Sequence, residues 1–166
     1  MFKIILIGTI FNYCYATTYN DKLGKLESSG KYKAENKYGY LGKYQFGKLA
    51  LIDLGFISSK KEWLGKQSVY SKDDFLNSEE AQEIAINEWN NILDYRLAQC
   101  KAFDHINRIF NGIKLTKYSI RAGAHLLGAN YVCNLLNGSD VIKKDANKTS
   151  VLKYFKEFSD MTIDKD

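Results

Sequence analysis

Between Ser78 and Gly112, apolar side chains return every three or four residues: Ala81, Ile84, Ala85, Trp89, Ile92, Leu93, Leu97, Cys100, Phe103, Ile106 and Phe110. That spacing lines them along one face of a helix. Ser78 can cap its start, and Glu79 and Glu80 put negative charge at the positive end of its dipole. The pattern predicts one long amphipathic helix ending near Asn111-Gly112. Such a helix must be wrapped by other elements. The expected class is therefore mainly α, a helical bundle around a long central helix. At 166 residues and 45% hydrophobic composition, the chain fits one domain with its own core.

Shorter helical patterns surround it. Thr17 to Leu26 has Leu23 and Leu26 on one face, with Thr18 or Asn20 as cap. Phe46 to Leu54 reads as a short helix ended by Gly55, and Ser71 to Leu76 as a helical turn. Thr116 or Ser119 can cap a helix through Leu127, in which Gly123 and Gly128 permit close helix contact. Tyr131 to Leu136 is a further short helix, followed by an Asn137-Gly138 turn. Thr149 or Ser150 can cap a last helix from Val151 to Phe158. Tyr32 to Tyr44 alternates aromatic, polar and glycine residues, which predicts an irregular or β-hairpin wing.

The first sixteen residues differ from the rest. Lys3 precedes an apolar run from Ile4 to Tyr13, and Cys14-Tyr15-Ala16 offers small residues at the −3 and −1 positions. The expectation is a signal peptide over 1–16 cleaved after Ala16, a domain over 17–166, and a periplasmic or secreted location. Two cysteines then remain, Cys100 and Cys133. They can form a disulfide or stay as two buried thiols. No C-x-x-C or zinc spacing occurs, and His105 and His125 stand alone, so neither metal nor cofactor is expected. The formal charge of +5 suits an anionic partner. The lysines are scattered, with no run dense enough to favour nucleic acid. A monomer is expected.

The stretch Leu26–Gly47, LESSGKYKAENKYGYLGKYQFG, carries the candidate chemistry. Glu27 ends a helical run, where the negative end of the dipole disfavours its ionisation. An acid half-buried among rings stays protonated at neutral pH and can deliver its proton to a glycosidic oxygen. Tyr40 and Tyr44 would project toward a cleft, Tyr44 ahead of Tyr38, and Gln45 could hydrogen-bond a sugar. The plainer alternatives are an exposed helix-end glutamate, tyrosines under a small wing, and a glutamine satisfying local backbone.

Glu27-Ser28-Ser29-Gly30, followed by Gly39-Tyr40-Leu41-Gly42-Lys43-Tyr44-Gln45-Phe46-Gly47, resembles the lysozyme-like superfamily of lytic transglycosylases and goose-type lysozymes. There an E-S-x-G motif carries the catalytic acid and a G-x-x-Q-type motif lines the cleft. Asp145-Ala146-Asn147-Lys148-Thr149-Ser150 resembles a segment near the end of some short exported peptidoglycan hydrolases. The family's third signature, A-Y-N-A-G, aligns with Ala124-His125-Leu126-Leu127-Gly128, so His125 takes the tyrosine position. It either contacts substrate or is a satisfied core histidine.

The resemblance implies an α+β lysozyme-like fold and cleavage of the β-1,4 bond between N-acetylmuramic acid and N-acetylglucosamine in peptidoglycan. Glu27 would be the general acid/base, Ser29 would orient it, and Tyr40, Tyr44, Gln45 and His125 would hold the glycan. No second acid is evident opposite Glu27, Asp53 and Glu35 being nearest in sequence. A lytic transglycosylase needs none, because one glutamate serves both steps and leaves a 1,6-anhydro end. The alternatives are a hydrolytic muramidase and a non-catalytic glycan-binding or envelope-assembly protein. A secretion-machine or envelope partner is a further possibility.

Overall fold

In the computed structural model, residues 17–139 and 141–161 are described. The expected signal peptide lies outside them. The helices are α1 (Tyr19–Ser28), α2 (Lys48–Asp53), α3 (Lys72–Asn77), α4 (Glu79–Gln99), α5 (Lys117–Leu127), α6 (Ala129–Leu136) and α7 (Val151–Glu157). One two-stranded antiparallel sheet joins β1 (Ile109–Phe110) to β2 (Ile113–Lys114) among the described residues. The fold is mainly helical. No described helix is long and apolar enough to cross a membrane.

α4 is the central helix, but it is shorter than its apolar pattern suggests. It stops at Gln99, and Lys101 turns into the left-handed region at φ 61°. Cys100 bonds to Cys133 of α6, with Cα atoms 5.8 Å apart across a sequence separation of 33. Closing a loop of that length contributes roughly 3–4 kcal/mol by restricting the unfolded chain. Beyond it, Ala102–His105 forms a 3-10 turn and the chain enters the hairpin. Asn111 and Gly112, read from sequence as a helix end, are instead the hairpin's two central residues, with φ 46° and 75°. Both positive values match the type I′ turn that Asn-Gly favours.

The caps follow the sequence closely. The Thr18 side chain accepts from the Asp21 N–H at 3.2 Å, and Ser71, Ser78 and Ser150 act likewise on α3, α4 and α7. Thr116 and Ser119 form a reciprocal capping box on α5. α5 packs against α4, α6 and α7. At Gly123 a Cβ would collide with Phe155 of α7, so the glycine sets how close the two helices come.

The wing over 32–46 is irregular, held by isolated bridges from Leu41 to Glu35 and to Phe46. It is tied down by a buried amide on α4. Gln82 Oε1 accepts from the Lys43 N–H at 2.8 Å, and Gln82 Nε2 donates to the carbonyls of Tyr32 and Phe75 at 3.0 and 2.8 Å. That amide lies directly against Gly42 (φ 77°), where any Cβ would overlap it.

Candidate active site

α1 runs two residues beyond its expected end, so Glu27 sits inside its last turn. The stop comes at Ser29 (φ 59°), whose N–H donates to the Lys25 carbonyl at 3.0 Å, while the Gly30 N–H reaches Gly24 at 2.9 Å. This turn points Glu27 inward, where its side chain is only 12% exposed. The Tyr154 hydroxyl of α7 donates to Glu27 Oε1 at 2.7 Å. His125 Nε2 of α5 lies 3.7 Å from the same oxygen.

Three elements therefore converge on one carboxyl, and its electrostatics are mixed. Burial raises its pKa most. His125, the Tyr154 hydrogen bond and Lys153 lower it, and Asp145 raises it. The net direction is upward, because no cation among the described residues hydrogen-bonds the carboxylate to offset its desolvation. Burial, and then the charge of Glu27, hold the Tyr154 phenol above its ordinary value, so Tyr154 remains a donor.

His125 is fixed from the other side. Its Nε2 is 2.9 Å from the Tyr44 carbonyl oxygen, which can only accept, so Nε2 carries hydrogen. Its Nδ1 is buried without a hydrogen-bond partner among the described residues. The His125 side chain is 6% exposed and bonded to backbone, and it also lines the Glu27 recess.

The surroundings form two connected spaces. A recess of about 50 Å³ is lined by Glu27, Asn36, Tyr40, Gln45, His125 and Asp145, among others. A cleft of about 1000 Å³ shares Tyr40, Gln45, His125 and Asp145 with it, and extends past Tyr38, Tyr131 and Trp89 to Asp53 and Arg96. That volume is at the upper end for small-ligand sites. Acid, tyrosine ring and amide thus meet around the recess beside the cleft, an arrangement able to protonate an oxygen bound there.

Tyr40 and Gln45 stand where sequence placed them. Tyr40 is 40% exposed, and the Gln45 amide also donates to the Gly42 carbonyl at 2.9 Å. Tyr44 does not line the cleft. It is fully buried, and its hydroxyl donates to Glu83 of α4. Tyr38, 46% exposed, lines the cleft instead. The order expected for the two tyrosines is reversed because Glu83 of α4 offers the Tyr44 hydroxyl an acceptor that sequence spacing cannot reveal. Ser29 is exposed and makes no side-chain hydrogen bond among the described residues. Ser28 does that work, donating to the Lys43 carbonyl at 2.8 Å and accepting from the Lys31 N–H at 2.9 Å. That contact binds α1 to the wing.

Asp53 lines the far end of the cleft, paired with Arg96 at 2.9 Å, and Glu35 pairs with Lys72 outside it. Tyr154 and Asp145 were not singled out as site residues from sequence. Both come from the last fifth of the chain, and only packing brings them to Glu27. Comparison with family models, with curated proteins and with solved structures finds no match to this chain.

Proposed function

We propose that this protein is an exported enzyme of the lysozyme-like class that cleaves the β-1,4 bond between N-acetylmuramic acid and N-acetylglucosamine in peptidoglycan, as a lytic transglycosylase. One observation carries the reading. A glutamate in an E-S-x-G motif is buried in a small recess that shares Tyr40, Gln45, His125 and Asp145 with a large cleft, and its carboxyl is held toward the protonated form. Glu27 then has the two features a general acid needs, a place in a recess beside the cleft and a pKa raised by burial.

In this mechanism Glu27 gives its proton to the leaving glycosidic oxygen, which keeps the electron pair of the broken bond. The carboxylate formed then takes the proton of the sugar's 6-hydroxyl, whose oxygen closes onto the anomeric carbon. Glu27 is restored and no water is consumed. Tyr154 fixes the carboxyl rotamer and stabilises the carboxylate between the steps. Tyr38, Tyr40 and Gln45 supply ring faces and an amide suited to sugar. The apolar run and small residues before Thr17 support export.

The test is mass spectrometry of the fragments released from purified peptidoglycan. Products with 1,6-anhydro ends are expected. Reducing ends would assign hydrolysis instead. No release, together with sedimentation of the protein with the polymer, would replace the reading with glycan binding.

A further inference from the structure

The recess that holds Glu27 contains a second carboxylate. Asp145 lies far from Glu27 in sequence, in the loop that leads into α7, yet both residues line the same small space. Asp145 also lines the large cleft, whereas Glu27 lines only the recess. It therefore stands where the two spaces meet.

The loop is built to hold it there. Asp145 Oδ1 accepts from the Thr149 N–H at 2.6 Å, and the Asp145 N–H donates to the Thr149 carbonyl at 2.9 Å. The Lys148 N–H returns to the Asp145 carbonyl at 3.0 Å, and Lys144 bridges to Ser150. No salt bridge to Asp145 occurs among the described residues.

Resting on the glycosidase reading, we infer that Asp145 is a second acidic group of the reaction, a carboxylate where the Glu27 recess meets the cleft that stabilises the positive charge developing on the anomeric carbon. As the glycosidic bond lengthens, its electron pair and the Glu27 proton go to the leaving oxygen, and positive charge collects on the sugar ring. Asp145 neither gives nor takes a proton. The two carboxyls divide the roles by position: the one inside the recess gives the proton, and the one where recess and cleft meet acts only through its charge.

The groups that act on Glu27 are His125 of α5, Lys153 and Tyr154 of α7, and Asp145, while Glu27 in turn raises the pKa of Tyr19 on its own helix. Among those that shift Glu27, Asp145 alone adds negative charge, which helps keep Glu27 protonated.

Asp145→Asn in the full chain tests this, because the amide oxygen can still accept from Thr149. Turnover on peptidoglycan should fall about 100-fold, the scale of losing one preorganised electrostatic partner. Sedimentation with the polymer and the melting temperature should be unchanged. The alkaline limb of the rate profile should move to lower pH, since removing the negative charge lets Glu27 ionise sooner. Wild-type turnover with an unmoved limb overturns the inference. So does a loss of turnover that accompanies a loss of cooperative melting.

Carbon-13 titration of the Glu27 carboxyl in both proteins gives a reading that needs no turnover. A lower midpoint in the variant supports the coupling, and identical midpoints overturn it. If the wild-type chain releases nothing from peptidoglycan, the glycosidase reading fails and the catalytic role of Asp145 falls with it. The titration would still decide whether the two carboxyls interact.

Discussion

Glu27 and Glu83 both meet tyrosine hydroxyls, and their chemistry diverges. Glu83 is bonded by Lys43 Nζ at 2.8 Å and by the hydroxyls of Tyr32 and Tyr44 at 2.7 Å. Burial would raise its pKa, but those hydrogen bonds, the lysine's first, outweigh it and hold Glu83 below the ordinary carboxylate range. Glu27 has one tyrosine hydroxyl and a histidine 3.7 Å away, and burial prevails. Deeper burial and the lack of a hydrogen-bonded cation among the described residues separate a carboxyl held toward its protonated form from one held ionised. The two sites are joined through Tyr44, whose hydroxyl serves Glu83 while its carbonyl holds His125 beside Glu27.

The largest expected break in this contrast is Glu27→Gln. Turnover should drop by about 1000-fold, within the range of general acid catalysis, while sedimentation with the polymer persists. Cleavage at the wild-type rate would remove Glu27 from the mechanism. The variant also has a stability signature. Because the folded state raises the Glu27 pKa above its ordinary 4.5, the wild type binds that proton more tightly folded than unfolded. Its contribution to stability is fully present below about 4.5 and is lost as pH rises through the folded value. Thermal melts across pH should show this slope in the wild type and not in Glu27→Gln, which should melt higher at neutral pH.

Removing the carboxylate from the other site should have the opposite effect. Glu83→Ala leaves Lys43, whose side chain is 12% exposed, and two tyrosine hydroxyls without their acceptor. A loss of about 2 kcal/mol in denaturant unfolding is expected, reduced from the fully buried case because Glu83 is partly solvated. An unchanged midpoint would show that water replaces the carboxylate.

Tyr154→Phe probes the Glu27 side more gently. The lost bond favours the carboxylate, so the Glu27 pKa should climb further and the alkaline limb should move up. Turnover should fall about tenfold, equivalent to the ~1.4 kcal/mol of one hydrogen bond to a charged group. A limb that moves down would reverse the assigned sign.

The smallest effects separate the two serines. Ser28→Ala should cost about 1 kcal/mol by freeing the Lys43 carbonyl. Ser29→Ala should stay within about 0.5 kcal/mol, as befits an exposed side chain. Chemical denaturation of both variants checks the ranking, and equal losses would place Ser29 back among the residues that orient Glu27.

The sequence by itself determined where the helices start and which residues cap them. The period of apolar residues marked α4 and α5, and Thr18, Ser71, Ser78, Thr116 and Ser150 stand where the backbone leaves unpaired N–H groups. These signals are local, each acting within one or two turns, so a linear reading can find them. The same reading ran α4 through to Asn111, because 3-10 turns and short strands leave apolar spacing that mimics a helix.

What only the tertiary structure decided is which groups meet. Tyr154 reaches Glu27 from α7, Asp145 arrives from the loop before it, and Glu83 draws Tyr44 away from the cleft. These contacts span between 39 and 127 residues of sequence. They depend on how α5 and α7 pack at Gly123 and on where Gln82 pins the wing. A carboxyl's pKa is set by its neighbours and its distance from water, and neither is encoded at its own position in the chain.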